Sequence, residues 1–185
     1  MRPGPDNAVI RRVGLRIARL RHERGWSAAE LARRAGVGKA TLSEVESGRR
    51  NATLETLDAL TSALEVPLSA PLLAPTGSLE IPRALVKGEP VIAELVIHDE
   101  AADTISELYR VSVRAHAPRH RATTGTGLQK TALVFQGAWR VEFADDAFTI
   151  KAGEDRTWTA EQPHAYLATD EQDVEAALLL RYPQA

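Results

Sequence analysis

Cysteine is absent from all 185 residues. Without a thiol the chain can form neither a disulfide nor a thiolate zinc site, a composition that suits the cytoplasm. Long apolar runs are absent too. No stretch approaches the roughly 18 uninterrupted apolar residues of a membrane helix, and MRPGPDN at the start lacks the apolar core of a signal peptide. The expectation is a soluble cytoplasmic protein with no membrane contact. No Ser-His-Asp or Cys-His arrangement stands ready for nucleophilic catalysis, and the GTG at 125–127 lacks the rest of any phosphate-binding glycine loop. What is present, 44% hydrophobic and 26% charged, is ordinary for one medium domain or two small ones.

A formal net charge of −2 conceals a polarity along the chain. Residues 1–52 carry twelve Lys or Arg against five Asp or Glu, net +7, whereas residues 71–185 carry eleven against seventeen, net −6. An N-terminal half of this sign suits a polyanion. Arg2, Arg11 and Arg12 are read as a flexible basic arm, and Arg49 and Arg50 as phosphate clamps.

Between residues 25 and 50, GWSAAELARRAGVGKATLSEVESGRR spells two short helices joined by a tight turn. Ser27 precedes an apolar-periodic run with Glu30 three residues on. Its hydroxyl can cap the Glu30 amide while the Glu30 carboxylate reaches back to the Ser27 amide. Gly36 can adopt the left-handed backbone that ends a helix without steric cost. From Lys39 a second helix turns Leu42 and Val45 inward and leaves Lys39, Ala40, Thr41, Ser43 and Glu44 outside; Gly48 stops it. Upstream, Val13, Ile17 and Leu20 recur at helical spacing. Downstream, Thr53 precedes a stripe of Leu54, Leu57, Leu60 and Leu64 that closes at Val66-Pro67. A short fifth helix is expected around Leu68 to Leu73.

These residues, GW-S-x-x-E-LA, AGV, TLSEVESG and TLETL at their spacings, resemble the Xre or lambda-repressor-like helix-turn-helix family over about residues 11–73. The resemblance implies a double-stranded DNA operator as partner and candidate DNA contacts at Ser27, Lys39, Ala40, Thr41, Ser43, Glu44, Arg49, Arg50 and Asn51. It also implies a buried Arg21–Glu46 ion pair tying the first helix to the recognition helix. Two departures stand out. Ala28 replaces the Gln that often braces the recognition helix, and Glu44 either accepts from cytosine N4 or is a solvated surface charge.

PLLAPTGS at 71–78 breaks the helical period. The expected organisation is a helix-turn-helix domain over 8–73, a linker over 74–78, and a second domain over 79–185. Beyond the break, alternating runs at 91–98, 106–115, 131–137, 138–144 and 174–182 read as strands of an antiparallel barrel or sandwich. LVFQGAWRVEF and FTIKAGEDRTWTAEQPHAY resemble the paired motifs of cupins over about residues 104–182. The fold class is therefore α+β and multidomain: an all-α five-helix unit followed by an all-β cupin barrel, the double-stranded β-helix.

The cupin resemblance implies a metal held by histidines and a glutamate, but Lys130 stands at the glutamate position and Thr124-Gly125-Thr126-Gly127 at the histidine pair. Only His164 survives of four ligands, and an ammonium repels a cation. No metal or other cofactor is expected, and His116 and His120 read as surface histidines in a basic loop beside Arg119 and Arg121. The remaining candidate ligand-binding residues are Lys130, His164, Trp158, Thr124, Thr126 and Gln129, an inventory suited to a small anion. The alternative is that Lys130 points outward or pairs with a nearby carboxylate such as Glu142, leaving an apolar interior that binds nothing. The leading reading is a homodimeric transcriptional regulator, not an enzyme, with a small-molecule effector in its barrel. The alternatives are a metal-dependent cupin dioxygenase or isomerase fused to a DNA-binding domain, and a regulator whose barrel only dimerises.

Overall fold

The computed structural model describes residues 5–73, 85–87, 91–122, 124–169 and 171–184, with backbone alone for 5–8 and 85–87. The chain divides into two compact units, Met1–Pro82 and Arg83–Ala185. The linker expected at 74–78 lies outside the described residues.

Four helices make up the described part of the first unit: α1 (Pro5–Glu23), α2 (Ala28–Ala35), α3 (Lys39–Glu46) and α4 (Leu54–Leu64). Local chemistry sets their ends. The Ser27 and Thr53 hydroxyls accept from the Glu30 and Thr56 amides at 3.1 and 3.2 Å, which satisfies amides that have no partner within the helix. Gly36 takes φ +64° and returns its N–H to the α2 carbonyls. The reciprocal arm of the Ser27 cap is displaced, because the Glu30 carboxylate turns to Arg33 and Arg34 at 2.8 and 2.6 Å.

The expected fifth helix is a turn. Ala70 donates to Pro67 O, and Leu72 and Leu73 to Ser69 O, but Pro71 has no N–H with which to extend a helical ladder. Leu68 and Leu72 still bury their side chains. Arg11 and Arg12 are exposed but helical, within α1, so they form no flexible arm; Arg2 lies outside the described residues. The core gathers Val13 and Ile17 of α1, Leu31 of α2, Leu42 and Val45 of α3, and the leucine stripe of α4. Gly14 lets α1 and α3 touch backbone to backbone, since a Cβ there would stand 2.1 Å from the Val45 carbonyl oxygen.

The described strands of the second unit pair antiparallel. Its strands are β1 (Leu85–Lys87), β2 (Val91–Glu100), β3 (Thr104–Val113), β4 (His120–Arg121), β5 (Gln129–Gln136), β6 (Ala138–Glu142), β7 (Ala147–Lys151), β8 (Asp155–Thr159), β9 (Ala165–Ala168) and β10 (Val174–Pro183). They form a six-stranded sheet in the order β1-β2-β3-β10-β5-β8 and a four-stranded sheet in the order β4-β9-β6-β7. This is the two-sheet, cupin-like barrel that the motifs imply. Tyr109, Val111 and Val113 of β3 face inward with Lys130, Ala132 and Val134 of β5 and with alternate residues of β10, as a sheet with one buried face requires. Ile97, Leu133 and Phe135 remain exposed.

Candidate functional site

The helix-turn-helix presents α3 on a rigid mount. Arg21 Nε and Nη2 donate to the two Glu46 carboxylate oxygens at 2.7 and 3.0 Å, while Nη1 donates to the Trp26 carbonyl at 2.8 Å. With Arg21 9% and Glu46 13% exposed at the side chain, this bidentate pair is largely desolvated, and the Glu46 hydrogen bond raises the Arg21 pKa. It fixes the C-terminal end of α3 to α1, as the resemblance implies. Leu42 and Val45 pin the buried side of α3.

The opposite side is open. Lys39, Ala40 and Ser43 are exposed, and Thr41 and Glu44 are half-buried along its flank. Beyond the helix, the amides of Arg49 and Arg50 both donate to the Glu44 carbonyl, folding these residues back along α3. Arg49 Nε donates to Ser47 Oγ at 3.0 Å, and Arg50 Nη1 stands 3.5 Å from Glu44 Oε2. Arg50 thus offsets the charge of Glu44, the one carboxylate among the candidate contacts. Asn51 is exposed just past this loop, and Ser27 is exposed with its oxygen committed to the cap. The sequence reading did not single out Trp26, whose ring lies under the Arg34 guanidinium at 4.3 Å. Its signal was available in the aromatic that directly precedes the Ser27 cap.

In the β-unit, Lys130 points inward and is 1% exposed, so the outward-facing alternative fails. Glu142 does not pair with it: that carboxylate holds Arg119 at 2.7 Å and Arg140 at 2.8 Å. Lys130 Nζ donates to Tyr166 Oη at 3.0 Å and stands 3.3 Å from His164 Nε2. His164 Nδ1 lies 2.9 Å from the Gln162 carbonyl, which assigns the ring proton to Nδ1 and leaves the Nε2 lone pair facing Lys130. Burial, reinforced by the Lys130 charge, lowers the His164 pKa to about 3, so the imidazole is neutral at pH 7.

Trp158 sits directly opposite Lys130 across β5 and β8. Phe143 stacks on His164 at 5.2 Å, and Trp139 meets Tyr166 edge-on at 4.8 Å. The indole N–H groups of Trp139 and Trp158 are both buried with no hydrogen-bond partner. Neither Tyr166 nor Trp139 was singled out in the sequence, because each enters through pairing between distant strands.

Two other candidates, Gln129 and Thr126, lie outside this cluster. Gln129 is exposed on the face opposite Lys130, as strand alternation demands, and Thr126 is exposed in the turn closed by Leu128 N to Gly125 O. Thr124 is half-buried in the segment before that turn. His120 is not a surface histidine. It is 3% exposed, because β4 places it opposite Tyr166 on β9. His116 is exposed, with Nε2 3.0 Å from Glu171. Among the described residues, no group of three His, Cys, Asp or Glu side chains is placed to hold a metal.

Residues 15–70 match the helix-turn-helix family HTH_3. Across 96% of the chain and 98% of the relative, the sequence is 25% identical to the HTH-type transcriptional regulator SutR of Escherichia coli strain K12. Over 54 residues, 29% of this chain and 70% of the relative, it is 46% identical to the uncharacterized HTH-type transcriptional regulator y4dJ of Sinorhizobium fredii. Among solved structures, an HTH_3 family transcriptional regulator from Vibrio cholerae superposes with a TM-score of 0.80 at 25% identity, covering 97% of this chain and 99% of that one.

Proposed function

The chain belongs to the helix-turn-helix family of transcriptional regulators, and on that premise we propose that it works as a homodimer that reads a two-half-site operator and answers to a small molecule bound inside its β-unit. The observation that carries the DNA-reading part is the mounting of α3. Its buried side is locked by Leu42, Val45 and the Arg21–Glu46 pair, while Lys39 to Glu44 present a continuous open flank ending in Arg49 and Arg50. A helix held in this way can place Lys39 at a guanine edge, with Thr41 and Ser43 beside it. Arg49 and Arg50 then fix its register on phosphates. Two such helices on half-sites about 34 Å apart provide the specificity that one small domain lacks.

The same reading makes the β-unit a sensor rather than an enzyme. Lys130 occupies the position where the cupin resemblance places an acidic ligand, and its buried ammonium repels a cation. SutR, similar over nearly its full length, carries the name of a regulator. The direct test is selection of random duplexes by the full-length protein. The expected product is an enriched, two-fold symmetric motif with half-sites about one helical turn apart; binding without sequence preference would refute the reading.

A further inference from the structure

We infer that Gly14 is the positioning residue that aims α3 at DNA, because its missing side chain lets the last turn of α3 sit directly on the backbone of α1. The inference rests on α3 being the DNA-reading helix and adds what sets its angle. Gly14 is buried midway along α1, where glycine is a poorer helix former than alanine. That local cost implies a gain elsewhere. A Cβ at this position would stand 2.1 Å from Val45 O, 3.0 Å from Glu46 O and 3.1 Å from the Glu46 carbonyl carbon. All three are main-chain atoms in the final turn of α3, so no side chain can rotate aside. Gly48 extends the same contact. Its N–H donates to Val45 O at 2.9 Å, and a Cβ on it would stand 2.8 Å from Arg11 Cα. Arg11 and Gly14 lie three residues apart and share a face of α1, so they hold the end of α3 by its backbone at two points.

The two ends of α3 are held unequally. At the C-terminal end the Arg21–Glu46 pair adds a third tie further along α1, and the span from Arg11 to Arg21 is about 15 Å of helix. Such a base fixes direction as well as distance. At the N-terminal end the cap residue is Gly38, which makes no side-chain cap hydrogen bond, and Gly38, Lys39 and Ala40 are all exposed. The reading end therefore takes its aim from the seat on α1. To admit a methyl group at residue 14, α3 must lift by about 1 Å, since Cβ atoms do not approach other heavy atoms within 3.0 Å. Lys39 lies roughly 9 Å along the helix from Val45, so it moves or tilts with the seat. A shift of that size separates the two kinds of DNA contact. Hydrogen bonds to base edges need their donors within about 0.5 Å of the productive geometry, whereas attraction to phosphates carries no sequence information and tolerates the shift.

The test compares the full-length parent with Gly14→Ala and with Leu64→Ala, a truncation in α4 that weakens the helical core outside the α1–α3 contact. Each protein is checked by circular dichroism, titrated with operator and random duplex below its own melting transition, and used to select from random duplexes. Gly14→Ala should bind operator about tenfold more weakly and random duplex within about twofold of the parent. Its selected motif should lose base preference at the position read by Lys39. Leu64→Ala should melt lower and keep the parental ratio of operator to random affinity. If Gly14→Ala does not fold, Gly48→Asn takes its place with the same expectation, because asparagine tolerates the left-handed backbone at φ +67° and brings a Cβ against Arg11. Three results overturn the inference: a folded glycine variant with the parental ratio, a Leu64→Ala variant that loses the ratio equally, or two glycine variants that both fail to fold, which would make the seat a requirement of folding alone. The DNA reading fails separately. A parent that prefers no sequence overturns that reading and the inference with it, whereas a selective parent with an equally selective Gly14→Ala variant overturns the inference alone.

Discussion

Lys39 stands first in α3, exposed, on the flank opposite Leu42, where a long cationic side chain reaches furthest into a groove. Replacing it with Ala should relax base preference at one operator position and cost about 1–3 kcal/mol of binding. On the proposed reading Arg49 and Arg50, folded back by their bonds to the Glu44 carbonyl, would act on phosphates. Each Ala variant should weaken all sequences alike and flatten the salt dependence by about one unit of slope. Arg50→Ala has a second consequence, because it also removes the guanidinium beside Glu44 and so exposes an uncompensated carboxylate to DNA. It should therefore be the weaker binder of the two. Titration of labelled operator at several salt concentrations separates these outcomes; unchanged affinity and base preference for Lys39→Ala would show that α3 is oriented otherwise.

Two histidines in the barrel make stability depend on pH in opposite senses. The His98 pKa is raised, first by its bond to buried Glu107, whose Oε1 lies 3.5 Å from Nδ1, and further by Glu100 and Asp99. A raised folded value stabilises fully below the unfolded pKa of about 6.5, and the contribution is lost as pH climbs through the folded value. His164, held at about 3, does the reverse: its neutral form stabilises above about 6.5, and the unfolded chain binds the extra proton as pH falls toward 3. Melting of the β-unit should therefore decline on both sides of about pH 6.5, by on the order of a few kcal/mol on the acid side. His98→Gln should flatten the alkaline limb and His164→Gln the acid limb in melts recorded across pH 4–9. A limb that keeps its slope after its histidine is removed belongs to other groups.

At the scale of elements, the contact between α1 and α3 governs the DNA-reading geometry. Arg21→Ala or Glu46→Ala strands a partner in a largely desolvated site and should destabilise the helical unit by about 3–5 kcal/mol, whereas paired apolar replacements should recover much of that. Chemical denaturation of the two single variants and of Arg21→Met/Glu46→Leu reads the difference; single variants as stable as the parent would mean that water reaches the pair. This contact was legible in the sequence only through resemblance. The caps at Ser27 and Thr53 and the apolar periods were legible from residues alone, because helix chemistry is local.

The strands were legible where alternation ran long, as in β2, β3, β5 and β10. It failed for β7 to β9, four or five residues long and recognisable only through the cupin motif, and for β4, whose two residues read as part of a basic loop. Misplacing Gln129 beside Lys130 was avoidable, since adjacent strand residues face opposite ways. The approach of Tyr166 to Lys130, 36 positions apart, and of Trp139 to Tyr166 was not readable, because each joins distant strands and no single strand encodes it.

At the scale of the whole molecule, the charge polarity and the two compact units give each half a separate task. The +7 of residues 1–52 attracts DNA without selecting a sequence, whereas selection by two half-sites requires a second copy held at a fixed distance. If the β-unit supplies that second copy, the helical unit over residues 1–82 should keep its helical circular dichroism and still lose operator affinity about a hundredfold or more, since linked binding multiplies the effective concentration of the second reading helix. Its binding to random duplex should fall far less, because the basic face remains whole. The ratio of operator to random affinity is the decisive quantity. If the fragment keeps the ratio of the full chain, one α3 suffices for specificity and the barrel is not the dimerising element; if the ratio collapses while nonspecific binding persists, recognition resides in the pair of helices and the barrel controls their spacing.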